Sequence, residues 1–318
     1  MEGRKAHPSW GPKKLVAWIQ KRKGLERLCA VSTAGQILQR HGLLHPQVRH
    51  RHCTMASGPL ASYEGANAVW CIDFKGWFRL GNGQRCDPLT LTDGFSRYLL
   101  RCRALPRIEL QGTRRICEAA FREFGLPQRI RSDNGAPFGS VAIGGLSALA
   151  IWWIKLGIVP ERIAPGRPDQ NGRHERMHLT MNETEQPQAA YDMARQQRRF
   201  NEFRQCYNEE RPHEALRQKT PASIYRVSER PYTGKLQEPH YGAEVETRKV
   251  QRMGEFSWRG QPVFLSETLR GETIGLEEIG TEQWQIRFGA MVLGTIDNRT
   301  MKVVPLPGAK KRRKKPYR

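Results

Sequence analysis

Residues 69 to 125 constrain the fold more than any other stretch of the chain. VWCIDFKGWFRL, CDPLTLTDGF and SRYLLRCRAL are three short runs rich in apolar and β-branched residues, separated by the turn sequences GNGQ and DGFS. The period then changes. IELQGTRRICEAAFREFG sets Ile116, Ala120 and Phe124 on one helical face and stops at Gly125-Leu126-Pro127. QRIRSDNG predicts a short strand that runs into a turn. After Pro187, QAAYDMARQQRRFNEFRQCYNEE predicts a long helix with Met193, Phe200, Phe203 and Tyr207 on one face. Three strands in series, then helix, strand and helix, predict an α/β fold over residues 67 to 228.

The flanks read differently. In residues 1 to 50, Pro12 suits a first helical position and is followed by Leu15, Trp18 and Ile19 on one face. VSTAGQILQRHG offers Ser32 as N-cap, Ile37 and Leu38 on a face and Gly42 as terminator. Two basic helices suggest a helix-turn-helix, although the connection between them exceeds the usual three- or four-residue turn. Residues 51 to 66 and 229 to 243 read as linkers. Over residues 244 to 307 the pattern becomes alternating, as in Trp284-x-Ile286-x-Phe288 and Met291-x-Leu293, which predicts a small β-barrel. Its turns and surface carry Arg248, Lys249, Arg252, Arg259, Arg270 and Arg287. Residues 308 to 318 form a basic tail.

Charge decides the class of partner. Against 31 Asp and Glu stand 53 Lys and Arg, a net charge of +22. The KKRRKK tail supplies six of those charges, so the remainder of the chain is basic as well, and a polyanion is the expected partner. Seven scattered cysteines with no C-x-x-C pair point to a reducing compartment and away from a cysteine-rich zinc module. MEGRKAHPSW lacks the apolar core of a signal peptide. VAIGGLSALAIWWIKLGIV approaches a membrane span in length, but Lys155 interrupts it, and a buried helix is expected there.

Two acids stand where predicted strands meet loops, Asp73 in CIDFKG and Asp133 in RSDNG. Such positions suit Mg²⁺, which takes hard oxygen ligands and keeps part of its water shell. RPDQNGRHERMH, residues 167 to 178, offers further acids, and three readings of it compete. His174-Glu175-x-x-His178 spells a zinc-protease helix, yet the continuation LTMNETEQP brings no third ligand. The frame P-x-x-N-G-x-x-E points instead to Glu175, three residues after the Asn171-Gly172 pair that opens a helix. Asp169 is the rival acid, better suited to capping that helix or to a loop.

WCIDFKG, LTDGFSRY, RSDNGAPF, PDQNGRHERMH and YNEERPHEALRQKTPASIY, in that order, resemble the integrase-type transposases of bacterial insertion sequences. The resemblance implies a ribonuclease-H-like catalytic core over residues 67 to 228, similar to that of retroviral integrases. It implies Asp73, Asp133 and Glu175 as catalytic residues that hold two divalent metals, Mg²⁺ with Mn²⁺ as substitute and no zinc. The family's frequently quoted 35-residue spacing would choose Asp169, since 41 residues separate Asp133 from Glu175. The motif frame chooses Glu175. The implied reaction is hydrolysis at transposon ends followed by attack of the freed 3′-OH on target DNA, with no covalent protein–DNA intermediate. Double-stranded DNA is the implied partner, bound by at least a homodimer in the bacterial cytoplasm at the nucleoid, with no membrane. A catalytically inactive DNA-binding remnant and a structure-specific nuclease of the same fold are the alternatives. The zinc-binding N-terminal module of retroviral integrases is not expected, since His41-x-x-x-His45 is followed by no C-x-x-C. Many relatives carry a further helix-turn-helix upstream, so the chain is expected to be shortened at its start.

Overall fold

The computed structural model describes residues 2–8, 10–26, 28–43, 60–140, 142–164, 167–185 and 189–305. The basic tail, most of the first linker, Cys53 and His45 lie outside them. Three helices come first, α1 (Glu2–Ala6), α2 (Pro12–Lys23) and α3 (Val31–Arg40). Strands β1 (Val69–Phe74), β2 (Phe78–Arg79), β3 (Arg85–Asp93) and β4 (Leu99–Leu105) follow, then α4 (Leu110–Phe124). Next come β5 (Arg129–Ser132), α5 (Ala148–Lys155) and β6 (Val159–Arg162). Helices α6 (Gly172–Glu185), α7 (Met193–Gln205) and α8 (Pro221–Ile224) complete the mixed α/β part. The remainder is β-structure: β7 (Glu246–Lys249), β8 (Glu255–Trp258), β9 (Gln261–Phe264), β10 (Thr273–Gly280), β11 (Gln283–Phe288), β12 (Met291–Asp297) and β13 (Lys302–Pro305). None of the described helices is long and apolar enough to cross a membrane.

The chain divides into two compact units that interleave in sequence. The first comprises Met1–Arg107 and Gly166–Glu229, the second Ile108–Pro165 and Arg230–Arg318.

In the first unit β3 pairs antiparallel with β1, β2 and β4. Val69, Trp70, Cys71 and Ile72 are all fully buried, the mark of a strand covered on both faces. The first predicted strand is in fact two, because Gly76 takes φ +94° and turns the chain between β1 and β2. Met181, Phe200, Phe203 and Tyr207 pack with Leu80, Leu99 and Cys102, so the face predicted for α7 is the buried one. The helix starts later than Pro187: Asp192 caps it by accepting from Arg195 N at 2.8 Å, and it ends in a π turn, Cys206–Glu210.

At the N-terminus α2 begins with Pro12 as expected, and Gly42 ends α3 in the left-handed region. Two expectations fail there. Helix α3 begins at Val31 after Ala30, which puts Ser32 inside the first turn, and Ile37 faces solvent while Leu38 is buried. Trp10 joins Leu15 and Leu38 in the small core and stacks on His7 at 3.8 Å. A helix-turn-helix is not established by this arrangement.

In the second unit β5 and β6 run parallel, in a register that sets Arg131 opposite Glu161. The two side chains form a buried ion pair at 2.8 Å. Helix α5 occupies only eight residues of the apolar run, with Ser147 accepting from Ala150 N at its start. Leu146, Ala150 and Ile151 share one core with Phe256, Trp258, Ile274, Leu276, Ile286, Phe288, Leu293 and Ile296. Lys155, the residue that argued against a membrane span, pairs with Glu238 at 2.8 Å and Glu272 at 3.0 Å.

The C-terminal strands do not close into the predicted barrel. They form an open antiparallel sheet in the order β13-β12-β11-β10-β7, with β8 and β9 as a separate hairpin. Alternation marks each strand correctly but says nothing about closure. Pro262 in β9 has no N–H to donate, and among the described residues β9 pairs with β8 alone.

Candidate active site

Asp73 is the next-to-last residue of β1 and lies opposite Thr90 in the β1–β3 register. Thr90 lies at the centre of a polar cluster. Its hydroxyl donates to the Asp73 carbonyl at 3.2 Å and lies 2.8 Å from His174 Nε2 and 2.7 Å from His178 Nε2. A hydroxyl has one proton to give. With that proton on the Asp73 carbonyl, both imidazoles donate Nε2–H to Thr90, and Thr92 donates to His174 Nδ1 at 2.8 Å. The unprotonated Nδ1 of His178 then faces Asp73 Oδ2 at 3.9 Å.

The histidines are thus built into the first unit's interior. Burial, and secondarily His178, holds His174 well below the usual imidazole range, and burial lowers His178 to about 4, helped by Lys75. Both are neutral at pH 7. Sequence reading gave neither a role and overlooked Thr90 and Thr92. The available signal was geometric: two threonines two apart on a strand face two histidines four apart on a helix.

Glu175 lies in the first turn of α6, on the same helix as the histidines, and is exposed. Its carboxyl is raised from the ordinary range by partial burial and by the nearby negative charge of Asp169. Asp169 sits in the 3-10 turn Pro168–Asn171 that precedes α6. Arg167 holds both its oxygens at 2.9 Å, and this pairing lowers the Asp169 carboxyl.

Asp133 belongs to the second unit and follows β5 directly. Its Oδ1 is buried and has no hydrogen-bond partner among the described residues. Burial raises its carboxyl, opposed only by the Gly135 backbone N–H. A Cβ at Gly135 would lie 3.0 Å from Asp133 Oδ2, so glycine leaves that oxygen room. Asn134 Nδ2 donates to the Ile163 carbonyl at 2.6 Å and fastens the turn to the end of β6.

The structure therefore groups Asp73 with His178 and puts Glu175 on the same α6 helix, while Asp133 stands in the other unit. Among the described residues no cluster of three or more His, Cys, Asp or Glu side chains is gathered as a metal-ligand set.

Residues 64–168 match the family model described as Integrase core domain, and residues 156–221 match a second model of the same description. Over 185 residues, 58% of the chain, the sequence is 30% identical to the Insertion element IS407 uncharacterized 31.7 kDa protein of Burkholderia multivorans. The match spans 64% of that relative, somewhat less than two thirds of its length. Among solved structures, the simian T-cell lymphotropic virus intasome in complex with PP2A regulatory subunit B56 gamma aligns at 15% identity and a TM-score of 0.43. That alignment covers 88% of this chain and 92% of that one. The HTLV-2 integrase catalytic core domain in complex with magnesium, in its trimeric form, aligns over 51% of this chain and 99% of its own, with 15% identity and a TM-score of 0.37. On these matches residues 64–221 are similar to an integrase core domain.

Proposed function

We propose that the chain is a DNA transposase that cuts at the ends of a mobile element and joins the freed 3′-OH to target DNA. Asp73, Asp133 and Glu175 are the catalytic carboxylates of its ribonuclease-H-like core, and together they hold divalent magnesium, with manganese as substitute. One observation carries this reading: the buried Asp133 Oδ1 with no partner, on a carboxyl that burial alone disfavours as an anion. A hard cation supplies what that oxygen lacks, and three carboxylates suit magnesium's preference for oxygen ligands. Bound there, the metal supplies Lewis acidity toward the attacking water or 3′-OH and toward the leaving 3′ oxygen.

The chain's own residues do the rest. Asp73 offers its carboxylate from a strand whose backbone is fixed through Thr90. Glu175 offers its carboxylate from the solvent-facing side of α6, where DNA can approach. The charge of Asp169 is already matched by Arg167, which leaves it the weaker ligand. The excess of Lys and Arg draws the phosphate backbone, and pairing two element ends calls for at least a dimer on DNA. The C-terminal strands, with Arg248 and Arg259 on their surface, are assigned to backbone contacts without sequence preference.

The test is nicking of supercoiled plasmid and joining of element-end oligonucleotides by the full chain, with Mg²⁺ or Mn²⁺ against EDTA. Asp133→Asn and Glu175→Gln should each lower joining by roughly 10²–10³-fold, the range for losing a charge-stabilising group. Asp169→Asn should stay within a few-fold of the wild type. Full joining by Glu175→Gln together with none by Asp169→Asn would reverse the choice of third acid.

A further inference from the structure

Two motifs of the chain, LTDGFSRY and the RPHEALRQKTP part of the later one, supply none of the three proposed carboxylates, and in the first unit they meet. Asp93 accepts from Asn67 N at 2.8 Å, Ser96 N at 2.8 Å and Ser96 Oγ at 2.6 Å, which ties down the turn between β3 and β4. Inside that turn Phe95 is exposed, and Arg97 is held in the left-handed region at φ +65°. A Cβ at Gly94 would collide with the ring of Tyr63, so glycine is what lets the ring lie against the turn. Arg173, in the first turn of α6, donates to the Gly94 carbonyl at 2.7 Å and sets its guanidinium 4.1 Å from the Tyr63 ring centroid.

The second motif closes the other side. Gln218 N donates to the His213 carbonyl at 2.8 Å, and His213 N donates to the Lys219 carbonyl at 3.1 Å. Between those bonds Arg217 and Gln218 are both left-handed, at φ +55° and +64°, a conformation that non-glycine residues adopt rarely. The strained turn presents Arg217 and Lys219. Together with Tyr63, Phe95, Arg97 and Arg173 they line a cavity of about 470 Å³.

The lining carries four cations and no acid. Among the described residues none of the four enters an ion pair, in a chain where many exposed arginines do. Arg97 is partly buried beside Arg173, and burial followed by that neighbouring charge disfavours its cation. Two partly buried guanidiniums without an acid partner, beside an exposed guanidinium and an exposed ammonium, carry a cost that a bound anion removes. The volume falls within the range of small-ligand sites, and the Phe95 ring offers a face on which a base can stack.

We propose that this pocket receives a nucleotide of a DNA strand, its phosphate among Arg97, Arg173, Arg217 and Lys219 and its base against Phe95. The assignment rests on the DNA reading above and locates one point of contact apart from the carboxylates. It also gives a role to two turns of unrelated sequence, one held by the Asp93 carboxylate and the other by backbone bonds.

The experiment measures binding of the full chain to two fluorescent duplexes of equal length, one blunt and one with an unpaired 5′ overhang, across a salt series. Arg217→Ala/Lys219→Ala changes two exposed residues and should flatten the log–log salt slope by about two for both duplexes. Phe95→Ala should leave the slope unchanged and weaken the overhang duplex alone, by roughly fivefold to a hundredfold. Arg122→Ala/Arg195→Ala removes the same number of charges from exposed helical faces and is the control, with a smaller change in slope expected. Thermal melts of all variants verify folding. A slope for Arg217→Ala/Lys219→Ala equal to that of the wild type, or changed no more than the control's, overturns the pocket while leaving the DNA reading intact. A wild-type chain that binds neither duplex overturns both.

Discussion

The two units of this chain solve the problem of an interior in opposite ways. The first carries a buried polar network: His174, His178, Thr90 and Thr92 form one hydrogen-bonded cluster, and Arg211 and Asn208 are buried as well. The second relies on aromatic and aliphatic packing, with Phe256, Trp258, Ile286 and Phe288 essentially sealed from water. Its main buried charges are the Arg131–Glu161 pair and the carboxylate of Asp133. The polar interior lies beside Asp73, whereas the apolar one lies in the unit that bears Asp133, whose Oδ1 has no partner among the described residues. A polar cluster fixes direction, since each ring nitrogen has one partner to satisfy. An apolar core fixes position through volume.

If that contrast is real, the units must respond differently to the same kind of insult. The largest stability effect is expected in the second unit. Phe288→Ala leaves a cavity in a closely packed core and should cost about 3–5 kcal/mol, read from denaturant unfolding. A loss below 1 kcal/mol would mean that the core is looser than its burial indicates.

Acid should strike the first unit. His178 is held near 4 and His213 near 3, both below the ordinary value of 6.5, mainly by burial. Because the folded state resists protonation, their stabilising effect is complete above pH 6.5 and falls as the pH drops toward those folded values. At pH 5 each should have cost roughly 2 kcal/mol relative to neutral pH. The second unit contains one histidine, His240, and its raised carboxyl at Asp133 works in the opposite sense, favouring the folded state as that group takes up a proton. Hydrogen exchange at pH 7 and pH 5, corrected for intrinsic rates, should show protection lost in α6 and the π turn before β10, β11 and β12. Simultaneous loss in both units would erase the distinction. The smallest effect is local: Ser147→Ala removes the cap of α5 and should cost about 1 kcal/mol, visible as a small drop in melting temperature.

Much of this architecture was legible in the sequence. Pro12, Gly42, the Gly125-Leu126-Pro127 stop and the periodic face of α7 act within a few residues of themselves, and they fell where local rules put them. What escaped were relationships that require register. Thr90 matters because the β1–β3 pairing sets it opposite Asp73, and nothing in TLTLTD announces that partner. Arg131 and Glu161 meet only through the parallel pairing of β5 with β6. The open C-terminal sheet differs from the expected barrel for the same reason, since alternation marks a strand's faces and leaves its edge partners open. At the candidate site, the motif frame nominated Asp73, Asp133 and Glu175, while the bidentate grip of Arg167 on Asp169 became visible only in three dimensions.

The central claim is that Asp133 holds a divalent cation together with Asp73 and Glu175. Manganese titration of the full chain, followed by electron paramagnetic resonance of free Mn²⁺, tests it without reference to turnover. The account predicts saturable binding by the wild type, displaced by magnesium, and binding weakened severalfold or more by Asp133→Asn and by Glu175→Gln, with Asp169→Asn unchanged. Wild-type affinity in Asp133→Asn would contradict it.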